Sequence, residues 1–470
     1  METSSDRSQK WGILVAVGIG TFMTALDTSV VNTVLPVIGK NFNEVITNVE
    51  WVVTIYLLVL SGLLLSFGRL GDMRGHKTIY LSGFGIFIAG SLLSGIAPNV
   101  DLLIAFRGLQ ALGAAMLAAN SPAILTKSFP VQQRGQALGL QATMTYLGLT
   151  AGPALGGWLA SIFGWRVVFY INLPVGLAAI WLSMHFIPSD ANHRQGEQFD
   201  YLGAITFLLG LGALLLGLNQ GEEGGWTSFP IIALLLSAII FLSIFIYIEK
   251  HVEQPMLDLS LFKRLPFSMT AASAVINYIG VYSCIFLMPY YLIQGRGFSI
   301  AQAGLILVAQ PVVMAVIAPI SGTLSDRIGT RLPAVFGMAV LSAGLYLVSR
   351  LSAQSSIESI MVALAVIGLG TGAFISPNNS ALMGSAPKTR QGIAAGILAT
   401  SRNFGMVLGV GISGAIFTTV LAHESTGLSL PGGPIQNEAI FTALGMSFLV
   451  VSLITILGVI TCMVRDTRNS

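Results

Sequence analysis

The sequence predicts an all-α protein that crosses a membrane many times, and three observations predict it. Of the 470 residues, 54% are hydrophobic and only 9% are charged, where a soluble domain carries about 25% charged residues. The apolar residues fall into runs close to the roughly 20 residues a helix needs to cross the hydrocarbon core. The basic residues collect at alternate ends of those runs.

The runs lie near 11–36, 48–68, 78–97, 101–126, 135–160, 165–187, 201–218, 229–248, 267–292, 302–323, 332–349, 357–383, 391–418 and 437–464, which gives fourteen spans. They break at turn and charge clusters such as Gly68 to Lys77, Pro188 to Asp200 and Glu249 to Arg264. The first run passes through Asp27 to Pro36 without a small-residue cleavage site and is too long for a signal-peptide core, so it reads as a retained span. Basic residues favour the cytoplasmic side. With the N-terminus inside, only Lys40, Arg166, Arg296 and Arg350 fall outside, and Arg107 and Arg402 fall within spans. All the other Lys and Arg lie inside, and an even number of spans returns the C-terminus to the cytoplasm. A bacterial inner membrane is the expected location.

The chain also repeats itself. Gly68-Arg69-Leu70-Gly71-Asp72-Met73-Arg74-Gly75-His76-Lys77 follows span 2, and Gly322-Thr323-Leu324-Ser325-Asp326-Arg327-Ile328-Gly329-Thr330-Arg331 follows span 10. A second pair, Pro130 to Ala137 and Pro387 to Ala394, follows spans 4 and 12. Spans 1–6 and 9–14 therefore read as two copies of a six-helix unit, with spans 7 and 8 inserted. The expected domains are residues 1–187, 188–266 and 267–470. Parallel six-span repeats are a transporter architecture with binding near the midplane.

Asp27 is the one acid well inside a span. A charge at the bilayer centre costs about 2.5–3.5 kcal/mol on insertion scales, which marks it as a functional candidate. Arg107 is its natural partner. Pro36 and Pro98 mark the outer ends of spans 1 and 4, and Asp27 and Arg107 each lie nine residues inward from their proline, a depth of about 13 Å for both. An ion pair or a water bridge between them would link protonation to helix arrangement; a fixed structural pair is the plainer reading. Arg402, about eleven residues into span 13, has no matching acid in the second half's spans. It either binds anionic substrate groups or pairs with backbone carbonyls. Gly148, Gly152 and Gly156 repeat every four residues on span 5, with Pro153 among them, and Gly405, Gly409 and Ser413 repeat likewise on span 13. Small residues at this spacing let helices approach closely, and both helices are expected at a seam between the halves.

Other chemistries find no support in the residues. Gly71 to Thr78 lacks phosphate-loop spacing and no strand precedes it. The five histidines show no metal-ligand spacing, and no nucleophile constellation is visible. Cys284 and Cys462 both sit in apolar runs and imply no disulfide framework. No enzyme activity, cofactor, metal or nucleic-acid partner is expected.

Four motifs in order on these spans are similar to those of the major facilitator superfamily, in its fourteen-span drug:proton antiporter branch. They are Leu26 to Pro36, Gly68 to Lys77, Phe106-Arg107-Gly108-Leu109-Gln110-Ala111-Leu112-Gly113, and Gly148 to Gly157. Pro255 to Phe262 before span 9 also resembles this branch. The resemblance covers nearly the whole chain. It implies two pseudo-symmetric six-helix bundles plus two extra helices, and a proton-coupled antiporter exporting drugs or other amphipathic molecules by alternating access. It implies a proton role for Asp27 assisted by Arg107, and gating by Gly148, Gly152, Pro153 and Gly156. It also implies an ionic latch built from Arg69, Asp72 and Arg74, with Asp326 in the second copy, Asp72 meeting the other half near span 13. Substrate contacts would come from Met23, Tyr56, Gln110, Asn120, Tyr146, Tyr278, Tyr282, Gln310, Asn378 and Arg402, with Asn277, Phe286, Phe374 and Phe404 as further lining candidates. The partners implied are a lipophilic small molecule, protons and membrane lipids, and the protein is expected to act as a monomer. One departure is that Thr54, Gln310 and Leu398-Ala399 supply none of the additional acids of members that pump divalent cations. Two rival readings are a dedicated exporter of one endogenous metabolite, lipid or antibiotic, and a non-transporting membrane receptor.

Overall fold

The computed structural model describes residues 4–44, 46–189, 199–225, 228–252, 255–257, 259–298, 300–387, 390–425 and 434–464. These residues form helices and no strand. With no water in the hydrocarbon core to bond a bare backbone, helices satisfy every peptide group internally. The helices are α1 (Ser4–Phe42), α2 (Ile46–Arg74), α3 (His76–Ile96), α4 (Val100–Ser128), α5 (Arg134–Phe163), α6 (Val167–Tyr170), α7 (Asn172–Phe186), α8 (Tyr201–Gly224), α9 (Phe229–His251), α10 (Leu265–Pro289), α11 (Ile300–Leu307), α12 (Ala309–Ile328), α13 (Arg331–Ser349), α14 (Ile357–Ser385), α15 (Gln391–Ser425) and α16 (Pro434–Val464). With α6 joined to α7 and α11 to α12, each falls on one of the fourteen expected runs. Among the described residues, 12 segments are long and apolar enough to cross a membrane. The other two are α5 and α8, the latter apolar only over Tyr201–Gly217. The protein is a multi-pass membrane protein.

Local chemistry sets the helix boundaries. Asn99 caps α4, its side chain accepting a 2.9 Å hydrogen bond from the Leu102 backbone N–H, which satisfies one of the free donors of the first turn. The two loop motifs share a backbone device. Gly75, between α2 and α3, has φ 92°, and Gly329, between α12 and α13, has φ 85°. A side chain is strained in this conformation and glycine is not. The last glycine of each motif, Gly75 or Gly329, is therefore a turn requirement.

The chain divides into two compact units. One gathers Met1–Gly212, Ala238–Phe262 and Met383–Thr400; the other gathers Ala213–Ser237, Lys263–Leu382 and Ser401–Ser470. Within each unit the same glycines permit the same contacts. A Cβ on Gly83 would lie 3.1 Å from the Gly113 carbonyl, and one on Gly337 would lie 2.7 Å from the Gly370 carbonyl. Likewise Gly148 of α5 abuts the Phe22 carbonyl of α1, and Gly405 of α15 abuts the Val275 carbonyl of α10. The structural register of the repeat thus sets Gly83 beside Gly337, Gly113 beside Gly370 and Gly148 beside Gly405.

This packing corrects one expectation. Gly148, Gly152 and Gly156 face Phe22, Ser29 and Val30 of α1, within the first unit. Gly405 and Gly409 face Val275 and Ile279 of α10, within the second. The small-residue stripes are taken up by backbone contact inside each repeat, because a helix pair that approaches this closely leaves no room for a larger side chain. Pro153 lies in α5, but its side chain is outside the described residues.

The inserted helices have a docking surface in the first unit. A Cβ on Gly62 of α2 would strike the Leu208 side chain of α8, and the Ser66 hydroxyl donates to the Met256 sulfur at 3.4 Å. Gly210 of α8 receives Leu242 of α9 in the same way.

Candidate proton-coupling site in the first unit

Asp27, midway along α1, is buried, and so are Arg107 and Gln110 one turn apart on α4. The Arg107 Nη1 donates to Asp27 Oδ2 at 2.7 Å and to Gln110 Oε1 at 2.7 Å. The opposite carboxylate oxygen, Oδ1, accepts from Gln110 Nε2 at 2.9 Å and from Asn172 Nδ2 at 2.8 Å. Both amide nitrogens also reach Ser91 Oγ, at 3.3 and 3.0 Å, and that hydroxyl donates to the Phe169 carbonyl at 2.8 Å. Arg107 Nε donates to the Val52 carbonyl at 3.3 Å. The guanidinium carbon lies 4.2 Å from the Tyr56 ring centroid and 5.8 Å from that of Phe169. Arg107 Nη2 is buried with no hydrogen-bond partner among the described residues.

Helices α1, α2, α3, α4 and α7 each contribute a group, so the charge state of one carboxyl bears on five elements. A buried pair keeps its charge when every lone pair is met by a donor, and removing one partner leaves an uncompensated ion. Equal depth was enough to pair Asp27 with Arg107 from the sequence. Ser91 and Asn172 escaped that reading. Asn172 is the lone amide side chain in its apolar run, which is the signal that would have flagged it.

Among the described residues the site has no counterpart in the second unit. A Cβ on Gly90 would lie 2.8 Å from Gln110 Cβ, and one on Gly344 would lie 2.8 Å from Ile367 Cγ1. The register that pairs Gly113 with Gly370 and Gly148 with Gly405 puts Gly280, Leu364 and Ile367 where Asp27, Arg107 and Gln110 stand. One repeat carries the acid and its donors; the other is apolar there.

A second polar cluster lies at the end of α2. Asp72 caps the first turn of α15, accepting from the backbone N–H of Gly392 at 2.8 Å and of Ile393 at 2.9 Å. His76 Nε2 lies 3.4 Å from Asp72 Oδ1, while His76 Nδ1 lies 2.7 Å from Asn120 Oδ1. Gln391, the first residue of α15, faces Thr126 Oγ1 at 3.1 Å. Gly68 and Gly392 meet backbone to backbone, and a Cβ on either would strike the other's carbonyl oxygen. Arg69 is buried, Arg74 is exposed and Asp326 is half-buried.

The remaining expected residues separate. Met23 and Tyr56 are buried in one core cluster of the first unit, and Tyr146 is buried on α5. Asn120 Nδ2 donates to the Met116 and Phe67 carbonyls. Asn378 is buried and donates to the Thr270 carbonyl at 3.2 Å. Gln310 and Asn277 are buried with amide atoms that meet no partner among the described residues. Tyr278, Tyr282 and Arg402 lie together in the second unit, all half-buried. Among the described residues no group of three or more His, Cys, Asp or Glu could hold a metal ion.

A repeat of many helical spans around a buried, paired acid is the architecture of membrane transporters. The Major Facilitator Superfamily pattern matches residues 17–274 and 270–469, and the chain belongs to that family. It is 33% identical over 452 residues to the riboflavin transporter RibZ of Clostridioides difficile (strain 630), covering 96% of each chain. It is 32% identical over 410 residues to the multidrug resistance protein Stp of Mycobacterium tuberculosis (strain ATCC 25618 / H37Rv), covering 87% of this chain and 76% of that one. Among solved structures the human organic anion transporter MFSD10 shares the fold, with a TM-score of 0.67 at 15% identity over 95% of this chain and 99% of that one.

Proposed function

We propose that the protein is a proton-coupled antiporter that exports amphipathic small molecules across a bacterial inner membrane by alternating access, as a monomer with both termini cytoplasmic. The observation that carries this reading is the Asp27 carboxylate, buried and held by Arg107, Gln110 and Asn172. Protonating Asp27 cancels its charge and removes the ion pair. Arg107 then keeps Gln110 Oε1, the Val52 carbonyl and the Tyr56 ring face, so the cation is not stranded. The helices tied through the carboxylate are released from it together. Proton and substrate must each favour a different state, since a ligand shifts an equilibrium only by its differential affinity. The Asp72 cap on α15 supports a latch that closes in one state and opens in the other. The distribution of basic residues supports the orientation.

The test is ethidium efflux from energised cells, with wild type beside Asp27→Asn. Efflux that collapses with an uncoupler and with Asp27→Asn supports antiport through this carboxyl. Efflux indifferent to both removes proton coupling from the reading. The likeness to RibZ favours a second reading, a transporter dedicated to one endogenous metabolite. It is distinguished by transport of one compound and no competition from unrelated drugs.

A further inference from the structure

Among the described residues Arg402 is a cation without a counter-charge. It lies eleven residues beyond Gln391, the first residue of α15, which is about 17 Å along the helix. The acids of the second unit's helices, Glu222, Glu223, Asp326, Glu358, Glu424 and Glu438, all lie at helix ends. Arg402 Nε is buried with no hydrogen-bond partner, and among the described residues the side chain makes no hydrogen bond or ion pair, so it does not pair with backbone carbonyls. An unpaired charge at membrane depth is costly and points to a partner brought from outside.

What surrounds it is chemically one-sided. Tyr278 and Tyr282, one turn apart on α10, lie within electrostatic reach of the guanidinium. Helices α10 and α15 touch at this level, where a Cβ on Gly405 would lie 2.8 Å from Tyr278 Cβ. Neither phenol hydroxyl hydrogen-bonds a described residue. Two phenol hydroxyls and a guanidinium lie within electrostatic reach of one another, and no carboxylate among the described residues joins them. Beyond them the same face continues through Phe286 of α10 and Tyr290 just after its end, whose rings stand 5.6 Å apart, and Tyr290 meets Phe417 of α15 at 5.6 Å. An all-donor group at one end of an aromatic stripe fits a ligand with an acidic group and a flat apolar body. In the first repeat Thr145 stands where Arg402 does, its hydroxyl bonded back to its own helix at Gln141, so the feature is not inherited from the repeat.

We propose that Arg402, Tyr278 and Tyr282 seat the acidic group of an anionic aromatic substrate, with the α10 stripe receiving its rings. This deepens the export reading and rests on it. It divides the labour between the repeats, the proton in the first and the substrate anion in the second. An anionic lipid headgroup offers the same acid, but the aromatic stripe favours a ring-bearing solute over an acyl chain.

The experiment is binding of carboxyfluorescein, followed by fluorescence polarisation, to the full-length protein in nanodiscs of phosphatidylcholine. Ethidium serves as the cationic control. Arg402→Gln is expected to weaken carboxyfluorescein binding at least about tenfold and to leave ethidium binding unweakened, and Arg402→Lys to restore part of the loss. Because no partner is orphaned, Arg402→Gln should hold or raise the melting temperature of the ligand-free protein. Carboxyfluorescein binding that is absent, or equal in Arg402→Gln, overturns the proposal. So does a fall in melting temperature, which would mark the guanidinium as structural. Repeating the measurement with phosphatidylglycerol separates the two sources of acid. Arg402-dependent stabilisation by that lipid, with dye binding independent of Arg402, would assign the seat to lipid and overturn the substrate role. Failure of proton coupling is read separately, as efflux indifferent to uncoupler and to Asp27→Asn while the anion still binds.

Discussion

Gln110 and Ile367 hold the same station in the two repeats, each packed against a glycine of the neighbouring helix, Gly90 for one and Gly344 for the other. The first is an amide that donates to Asp27 and accepts from Arg107; the second is a plain hydrocarbon. The repeats therefore share a packing scaffold and differ in what the scaffold holds. Gln110→Leu should keep the scaffold and strip the site. It leaves Asp27 Oδ1 with Asn172 as its remaining donor, a loss of about 1.5–3 kcal/mol for a hydrogen bond to a charged group. The expected outcome is a lower melting temperature in detergent and weakened uncoupler-sensitive efflux. Ile367→Gln, which buries an amide among apolar neighbours, should also destabilise but leave coupling intact.

Arg107 tests whether the pair is a unit. Arg107→Gln leaves a buried carboxylate facing no cation, which costs about 3–5 kcal/mol when one partner of a buried pair is lost. Adding Asp27→Asn removes that orphaned charge. The double variant should melt higher than Arg107→Gln alone and still fail to couple transport to the proton gradient. Arg107→Lys should not rescue, because an ammonium cannot hold Asp27, Gln110 and the Val52 carbonyl together in one planar fork. Equal melting temperatures for the single and double variants would count against the pair as an energetic unit.

Much of the fold is legible in the sequence because a bilayer imposes one length and one polarity on every span. The fourteen runs, the repeat and the Asp27–Arg107 pair all follow from spacing along an axis. What spacing does not carry is azimuth. Gly148, Gly152 and Gly156 announce a close helix contact, but not that it faces α1. Gln110 reads as one of several polar residues in span 4, and only the rotation of α4 turns it toward Asp27. Ser91 and Asn172 bring the same lesson, since each is a single polar residue whose meaning depends on the helix opposite.

The inserted helices offer a prediction about stability apart from transport chemistry. Gly62 of α2 makes room for Leu208 of α8. Gly62→Leu overfills that contact, and overpacking costs about 1–3 kcal/mol. The melting temperature should fall, and the paired change Gly62→Ala with Leu208→Ala should recover most of it. Proton-dependence of any residual efflux should be unaltered, since no residue of the Asp27 network touches this surface.

The cap that Asp72 places on α15 depends on Gly68 and Gly392, and the dependence separates charge from sterics. Asp72 accepts from two backbone N–H groups at a helix start, where a carboxylate is favoured by the free donors and the positive end of the helix dipole. Asp72→Asn keeps the shape and one acceptor and loses the charge at the helix start, so it should cost about 0.3–1 kcal/mol. Asp72→Ala should cost more, because it removes both acceptors and leaves the Gly392 and Ile393 N–H groups without the side chain they bond. Gly392→Ala leaves the carboxylate in place but drives a methyl into the Gly68 carbonyl, which no rotamer can relieve because the obstacle is backbone. It should therefore abolish the cap outright. If the cap latches one state of the transport cycle, Gly392→Ala and Asp72→Ala should shift the exchange between states in the same direction. Labelling of single cysteines by a membrane-impermeant maleimide reads that exchange from each side of the membrane. Opposite shifts would separate the carboxylate from the glycine contact and dissolve the latch.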